Sequence, residues 1–321
     1  MSDGGFGMIP GALVAKRGLL KAATMLAAVV LVAGACSSGS ASPQASAPAP
    51  SAAAASAAAA PSAGPAGATN LILATTTSLQ DSGLLDVLVP AFEKASGYTV
   101  KTVAVGTGQA LTMGQQGNAD VLFVHAPTQE QAFMDAGWGV DRRLVAHNYF
   151  WIVGPASDPA GISGMTSAVD AFKKIAASGA TFVSRGDNSG TNTKELALWM
   201  SAGITPKGSW YIESGQGMGA TLQIASEKTA YTLTDTATFL SSQANLALEA
   251  LVKSDSSLIN IYSVIAVNPA KWPKVNAAGA KAFEDYVTGS AGQQIIAAFG
   301  IDTFGIALFH ADAGKDYSSL Q

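Results

Sequence analysis

Residues 70–97 read NLILATTTSLQDSGLLDVLVPAFEKASG, and the order of residue types in that stretch decides the fold. Leu71, Ile72 and Leu73 form an unbroken apolar run, which suits a strand covered on both faces. Small hydroxyl residues, Thr75, Thr76, Thr77 and Ser78, follow at once. Leu84, Leu88 and Phe92 then recur at i, i+4 and i+8, one face of a helix, and Gly97 supplies a stop. A buried strand that feeds a helix through a short polar turn is the repeating piece of a parallel α/β sheet.

The same alternation continues outward. Strands are predicted over 98–105, 121–124 and 149–153, with helices over 108–116 and 127–135. Beyond Pro155, helices are predicted over 168–177, 191–200 and 219–227, and strands over 181–183, 230–233 and 259–267. Helices over 278–287 and 293–299 close the chain. This order implies α/β lobes, each a mainly parallel sheet flanked by helices. About 250 folded residues favour two lobes over one. The first break falls at Pro155-Ala156-Ser157-Asp158-Pro159, and a return crossing lies between Leu251 and Tyr262. Lobe 1 is therefore expected over 70–155, lobe 2 over 156–257, and a return to lobe 1 over 258–321. A lobe inserted by two crossings describes a hinged binding protein with its ligand in the cleft.

The N-terminal part is of another kind. Lys16, Arg17 and Lys21 precede an apolar run over 22–32 and then Ala33-Gly34-Ala35-Cys36. A basic region, a short apolar region and a small-residue cleavage site make a secretory signal peptide over 1–35. The apolar run is too short for a comfortable membrane span. Cys36 is the only cysteine, so no intramolecular disulfide exists. It is either an incidental thiol or the acylated residue of a lipobox, where Ala33 replaces the usual Leu. Residues 36–69 are almost wholly Ala, Ser, Pro and Gly, with nothing bulky to bury, and read as a disordered tether. Without residues 1–35 the chain has a formal charge of −6. That balance argues against a nucleic-acid partner, and a bound anion must be held by local geometry.

Four segments place hydroxyls and glycines directly after a strand: Thr75 to Ser78, Gly106-Thr107-Gly108-Gln109, residues 184–191, and Thr232-Leu233-Thr234-Asp235. In open α/β sheets the ligand crevice lies beyond the carboxyl ends of the strands. Helix N-termini there present free N–H groups and partial positive charge to an anion. Each segment also has a plain reading as a helix cap. Arg185 distinguishes the third, because a guanidinium beside Asp187 is either a surface ion pair or an oxyanion clamp.

From about Asn70 onward the chain resembles the tungstate-binding proteins of ABC importers. The matching stretches are ATTTSLQDSGLLDVLVPAFEKASG, VAVGTGQAL, ADVLFVHAP, IVGPASDPAGI, SRGDNSGTNTKELALW, KGSWYIESGQGMGATLQIASEK, AYTLTD and VIAVNPAKWPKVN. The resemblance implies a two-lobed type II periplasmic-binding fold, one bound oxyanion, no cofactor and no metal site beyond the oxyanion itself. Carried over by motif, Thr76, Thr77, Ser78 and Thr107 are implied ligands from one lobe, and Arg185, Ser189, Gly190 and Thr191 from the other. Asn188 and Asn192 stand where relatives often carry Asp and His. The implied partners are tungstate or molybdate, an ABC permease and its ATPase, and the membrane through a lipid on Cys36, with the protein a monomer.

Other classes fit less well. Gly186-Asp187-Asn188-Ser189-Gly190 has the outline of a serine-hydrolase loop, but no base stands in a recognisable triad context. His125 reads as a strand-end residue, and His147 and His310 as incidental; none has metal-ligand spacing. The scattered Trp138, Trp151, Trp199 and Trp210 read as packing rather than a sugar platform. Binding of phosphate or sulfate, or oxyanion sensing by a lipoprotein, would use the same fold.

Overall fold

The structure, a computed structural model, describes residues 69–320. The signal segment, Cys36 and the tether up to residue 68 lie outside the described residues. The first strand, β1 (Asn70–Thr76), buries Leu71 and Leu73 completely. Thr76 caps the short helix α1 (Thr77–Asp81), its hydroxyl accepting from the Leu79 N–H at 3.3 Å. Helix α2 (Leu84–Ser96) buries Leu84, Leu85, Leu88 and Phe92, and Gly97 ends it in the left-handed conformation at φ 78°. Then come β2 (Thr99–Val105), α3 (Thr107–Gln115), β3 (Val121–Val124) and α4 (Pro127–Asp135).

A long strand, β4 (Gly139–Gly154), leads into α5 (Ala168–Ser178), β5 (Phe182–Ser184), α6 (Gly190–Ser201) and β6 (Tyr211–Glu213). They are followed by α7 (Met218–Glu227), β7 (Thr232–Asp235), α8 (Thr236–Ser242) and β8 (Glu249–Val252). The chain returns through β9 (Ile259–Val267) to α9 (Ala277–Thr288), α10 (Ser290–Ala298), α11 (Ile301–Phe304) and β10 (His310–Ala311).

The strands nearest the N-terminus keep the expected parallel pairing: β1 lies between β2 and β3 and parallel to both. β5 and β6 also pair in parallel, as expected, but the strands that join these groups are antiparallel, so the sheets are more mixed than the alternation predicts. β9 runs antiparallel to β3 and to β4, and β4 runs antiparallel to β7 and β8. The cause is topological. One strand leaves the first sheet and another re-enters it at the same place, so the two neighbours must point opposite ways.

β4 belongs to two sheets. Its first part pairs with β9 as far as Tyr149, and from Phe150 it pairs with β7 and β8. The sequence signals only 149–153 of it, because Asp141, Arg142 and Arg143 interrupt the apolar pattern. Those charges are matched on the spot. Arg142 reaches buried Glu130 at 2.8 Å, while Arg143 pairs with Asp141 and, at 2.8 Å, with Asp285.

Apolar packing divides along the same line. Leu71, Phe92, Phe123 and Phe283 belong to one core, with Leu122, Phe133 and Ile265 in a satellite of it. Phe150, Phe172, Phe182 and Trp199 form another, with Met218 and Leu222 in a further cluster beside it. Trp199 meets Phe172 and Phe182 with ring centroids 4.3 and 5.3 Å apart, so this tryptophan is core, as its setting predicts. Burying a side chain of that size contributes roughly 1.5–3 kcal/mol, so each lobe carries its own driving force.

Candidate functional site

Three of the four hydroxyl-rich segments meet. Thr76 sits opposite Val105 across β1 and β2, so α1 and α3 start side by side. The loop before α6 packs on them from the other lobe. The Gly108 N–H donates to the Asn188 carbonyl at 3.3 Å, and a Cβ on Gly108 would stand 2.9 Å from that same oxygen. The loop before α7 completes the ring. The Met218 N–H donates to Thr77 Oγ1 at 3.3 Å, the Gly219 N–H to Asp81 Oδ2 at 2.8 Å, and the Gly215 N–H to the Arg185 carbonyl at 2.9 Å.

Within this ring the polar atoms are unevenly served. Ser78 Oγ, Thr107 Oγ1, Thr191 Oγ1 and Arg185 Nη1 are buried and, among the described residues, make no hydrogen bond of good geometry. Leaving one such group unpaired costs about 1–3 kcal/mol, so four in one place call for a purpose. The other side of the Arg185 guanidinium is fixed, with Nε and Nη2 donating to Asp187 Oδ2 at 3.2 and 2.5 Å. Asp187 is held in turn by the Ser189 N–H at 3.1 Å. Nη1 is thus the open edge of the guanidinium.

The remaining expected residues are partly engaged. Ser189 caps α6, its hydroxyl accepting from the Asn192 N–H at 3.2 Å, and Thr76 and Thr77 accept as described above. All three keep a hydroxyl proton to donate. Gly190 offers only its amide, which with that of Thr191 lies in the first turn of α6, where N–H groups have no intrahelical acceptor. The fourth segment turns to capping instead. Asp235 accepts from the Thr238 N–H at 2.9 Å and its hydroxyl at 2.7 Å, and it sits fully buried beside Ser78.

Residues 54–291 match the PBP superfamily domain. The chain is 49% identical over 248 residues to the tungstate-binding protein TupA of Peptoclostridium acidaminophilum, spanning 77% of this chain and 87% of that one. The TupA tungstate-binding protein of Campylobacter jejuni is 44% identical over 244 residues, 74% of this chain and 90% of that one. This chain belongs to the TupA family. The crystal structure of the tungstate ABC transporter from Geobacter sulfurreducens matches it at a TM-score of 0.67 and 51% identity, covering 72% of this chain and 98% of that one. The TupA family is one of solute-binding proteins, not enzymes, and the two-lobed type II fold is the one its pattern implies.

Three further features belong to this TupA-family site, and of these only Asp81 is flagged by its place beside a hydroxyl-rich segment. His125, at the end of β3, is buried beside Gly190, where an added Cβ would collide with the His125 carbonyl. Its Nδ1 lies 2.9 Å from Asn260 Oδ1. Asn260 Nδ2 is engaged with Asn148 Oδ1 and Tyr262 Oη, both at 2.8 Å, so the network assigns the proton to Nδ1 and leaves Nε2 a buried acceptor. Burial first, and the Arg185 charge second, push the His125 pKa down to about 4, so the ring is neutral near pH 7. Asp81 is the second feature. Partial desolvation raises its carboxyl, while the Gly219 N–H and the Arg185 charge pull it down, and the residue keeps solvent contact. The third is Gln129, whose Nε2 bridges Thr193 Oγ1 at 2.7 Å and Asn188 Oδ1 at 3.2 Å across the lobes.

Asn192 acts within its own helix start, while Asn188 serves both that turn and the contacts with Gly108 and Gln129 described above. Asn188 takes φ 56°, and its N–H donates to Asn192 Oδ1 at 3.0 Å. Two other expectations change. His147 is not incidental, since its Nδ1 lies 2.5 Å from buried Asp312. His310 stacks on that ring at 4.7 Å.

Proposed function

We propose that this TupA-family chain captures a tetrahedral dianion, tungstate or its near twin molybdate, outside the cell membrane and delivers it to the permease and ATPase of an ABC importer. One observation carries the reading: Thr107 Oγ1, Thr191 Oγ1 and Arg185 Nη1, buried and unpartnered among the described residues, converge with Ser78 Oγ, which faces buried Asp235. A tetrahedral dianion presents four oxygens that accept hydrogen bonds, so it supplies what every one of those groups lacks. Bonds to a charged acceptor are roughly twice as strong as neutral ones, and Arg185 adds the one cation. The proposed ligands are Thr76, Thr77, Ser78 and Thr107 on one lobe and Arg185, Ser189, Gly190 and Thr191 on the other.

The remaining assignments follow the sequence. The lobes divide near 70–155, 156–257 and 258–321, and they close on the ligand. A lipid on Cys36, with the tether over 36–69, holds a monomeric protein at the membrane. Among the described residues no helix is long and apolar enough to cross one.

Competitive calorimetry with tungstate, molybdate, sulfate and phosphate is the deciding experiment. Tungstate and molybdate should bind, and phosphate and sulfate should displace them poorly. Phosphate near pH 7 brings a proton that wants an acceptor, and sulfate is too small for donors spaced around longer metal–oxygen bonds. Displacement by phosphate at comparable concentration would move the assignment to a phosphate carrier. For the anchor, Cys36→Ala should abolish acyl labelling; wild-type protein that never labels would remove the lipid from the account.

A further inference from the structure

A cavity of about 480 Å³ opens between α6 and the two strands that join the lobes, next to the oxyanion cluster but distinct from it. None of Ser78, Thr107, Arg185 or Thr191 lines it; only Gly190 and His125 are shared walls. Its size falls in the range that holds small organic ligands and exceeds what one tetrahedral oxyanion needs. The floor is buried and largely apolar, with Phe150 and Ile261, while the rim is polar. Lys194 stands on that rim. Its Nζ donates to the Ser257 carbonyl at 2.8 Å and, among the described residues, has no carboxylate within 4 Å. Two of its three donors are therefore free. Partial burial lowers its pKa, and the charge of Asp255, beyond ion-pair distance, offsets only part of that shift.

We propose that this cavity is a second ligand site, built for a small organic carboxylate whose apolar body rests on Phe150 and Ile261 and whose charge meets Lys194. Its place in the fold adds a consequence. α6 carries Thr191 in its first turn and presents Thr193, Lys194 and Ala197 to the cavity immediately afterwards. A body seated there braces α6 against β9 and the start of α4, in the arrangement that gathers the oxyanion donors. The two ligands then strengthen each other by the same factor. That coupling rests on the oxyanion reading; the carboxylate site does not.

The mature protein would be titrated with hexanoate and benzoate, by calorimetry and thermal shift, with hexanamide and benzamide as uncharged controls. A carboxylate should saturate the protein, and its amide should bind at least about tenfold more weakly, the loss of one charge-assisted contact. Lys194→Met should abolish that preference while leaving tungstate affinity within about twofold, because Lys194 touches no proposed oxyanion ligand. Ala197→Trp, which covers the mouth, should block the carboxylate too. With carboxylate present, tungstate affinity should rise by roughly 5-fold. Absence of saturation by about 10 mM, displacement of tungstate by hexanoate, or undiminished hexanoate binding in Lys194→Met would each overturn the site. Unchanged tungstate affinity with hexanoate bound would overturn the coupling alone. A protein that binds hexanoate but no oxyanion would instead refute the oxyanion reading.

Discussion

Helix α6 serves two buried polar clusters, and they are finished differently. Glu195 accepts from Ser184 Oγ at 2.5 Å, Tyr211 Oη at 2.7 Å, Trp199 Nε1 at 2.8 Å and Asn192 Nδ2 at 3.3 Å. Burial raises its carboxyl, and those donors oppose the rise. One turn earlier, Thr191 Oγ1 is buried as deeply and has no partner, and neither has Arg185 Nη1 beside the loop. The same few residues can evidently satisfy a buried charge completely. Where they leave donors open, the opening has a use. A closed network holds the loop's shape, and an open one is complete only with a guest.

The largest effect expected from this contrast is on Arg185. Arg185→Ala removes the one cation from the open cluster and should weaken tungstate binding by about 100-fold or more, some 3 kcal/mol upward, in calorimetry. Its stability without ligand should fall by less than its affinity for tungstate, the cost of leaving Asp187 without its partner. Near-normal affinity would put the ligand elsewhere. Glu195→Ala should do the reverse, costing about 2–4 kcal/mol in chemical denaturation by stranding four donors, with a smaller change in affinity. If affinity falls more than stability, the division between the clusters is misplaced.

Single hydroxyls come next. Thr191→Val or Thr107→Val should each weaken binding by roughly 5–10-fold, about 1–1.5 kcal/mol, while stability holds or improves because an unpaired buried group is gone. A loss of stability without a loss of affinity would make these threonines structural. The smallest effect is on pH. Burial raises the Asp81 carboxyl, and a dianion nearby raises it further, so binding favours its protonated form. Affinity should therefore be highest on the acid side and fall as pH climbs through the raised value. The change should stay under about tenfold, because Asp81 keeps solvent contact. Asp81→Asn should flatten that slope; an unaltered slope would assign the proton elsewhere.

Much of this was legible in residue order. The β9 strand over 259–267 and the α4 helix over 127–135 fall where periodicity puts them, and Gly97 ends α2 as predicted. Strand ends rich in Ser, Thr and Gly are visible as anion sites because the physics is local: a helix start, a hydroxyl and an absent side chain. The first ten residues of β4 were hidden because Asp141, Arg142 and Arg143 look like a loop until their partners, Glu130 and Asp285, are in place. The roles of His125 and Gln129 were invisible for the same reason, and Asp81 was visible only as a carboxylate near the first hydroxyl segment, with its direction open. Each is defined by what it faces across the cleft, and nothing in the neighbouring sequence records that.

The seam between Gly190 and His125 has a further meaning. The two backbones lie so close that the glycine hydrogen occupies the place of any methyl group. Watertightness here depends on an atom that is not there. Alanine at 190 would force these two backbones apart while every donor remained present. A seam so opened changes how long a guest stays more than how many donors greet it, and for a binding protein the time the cargo stays aboard matters as much as the strength of the grip.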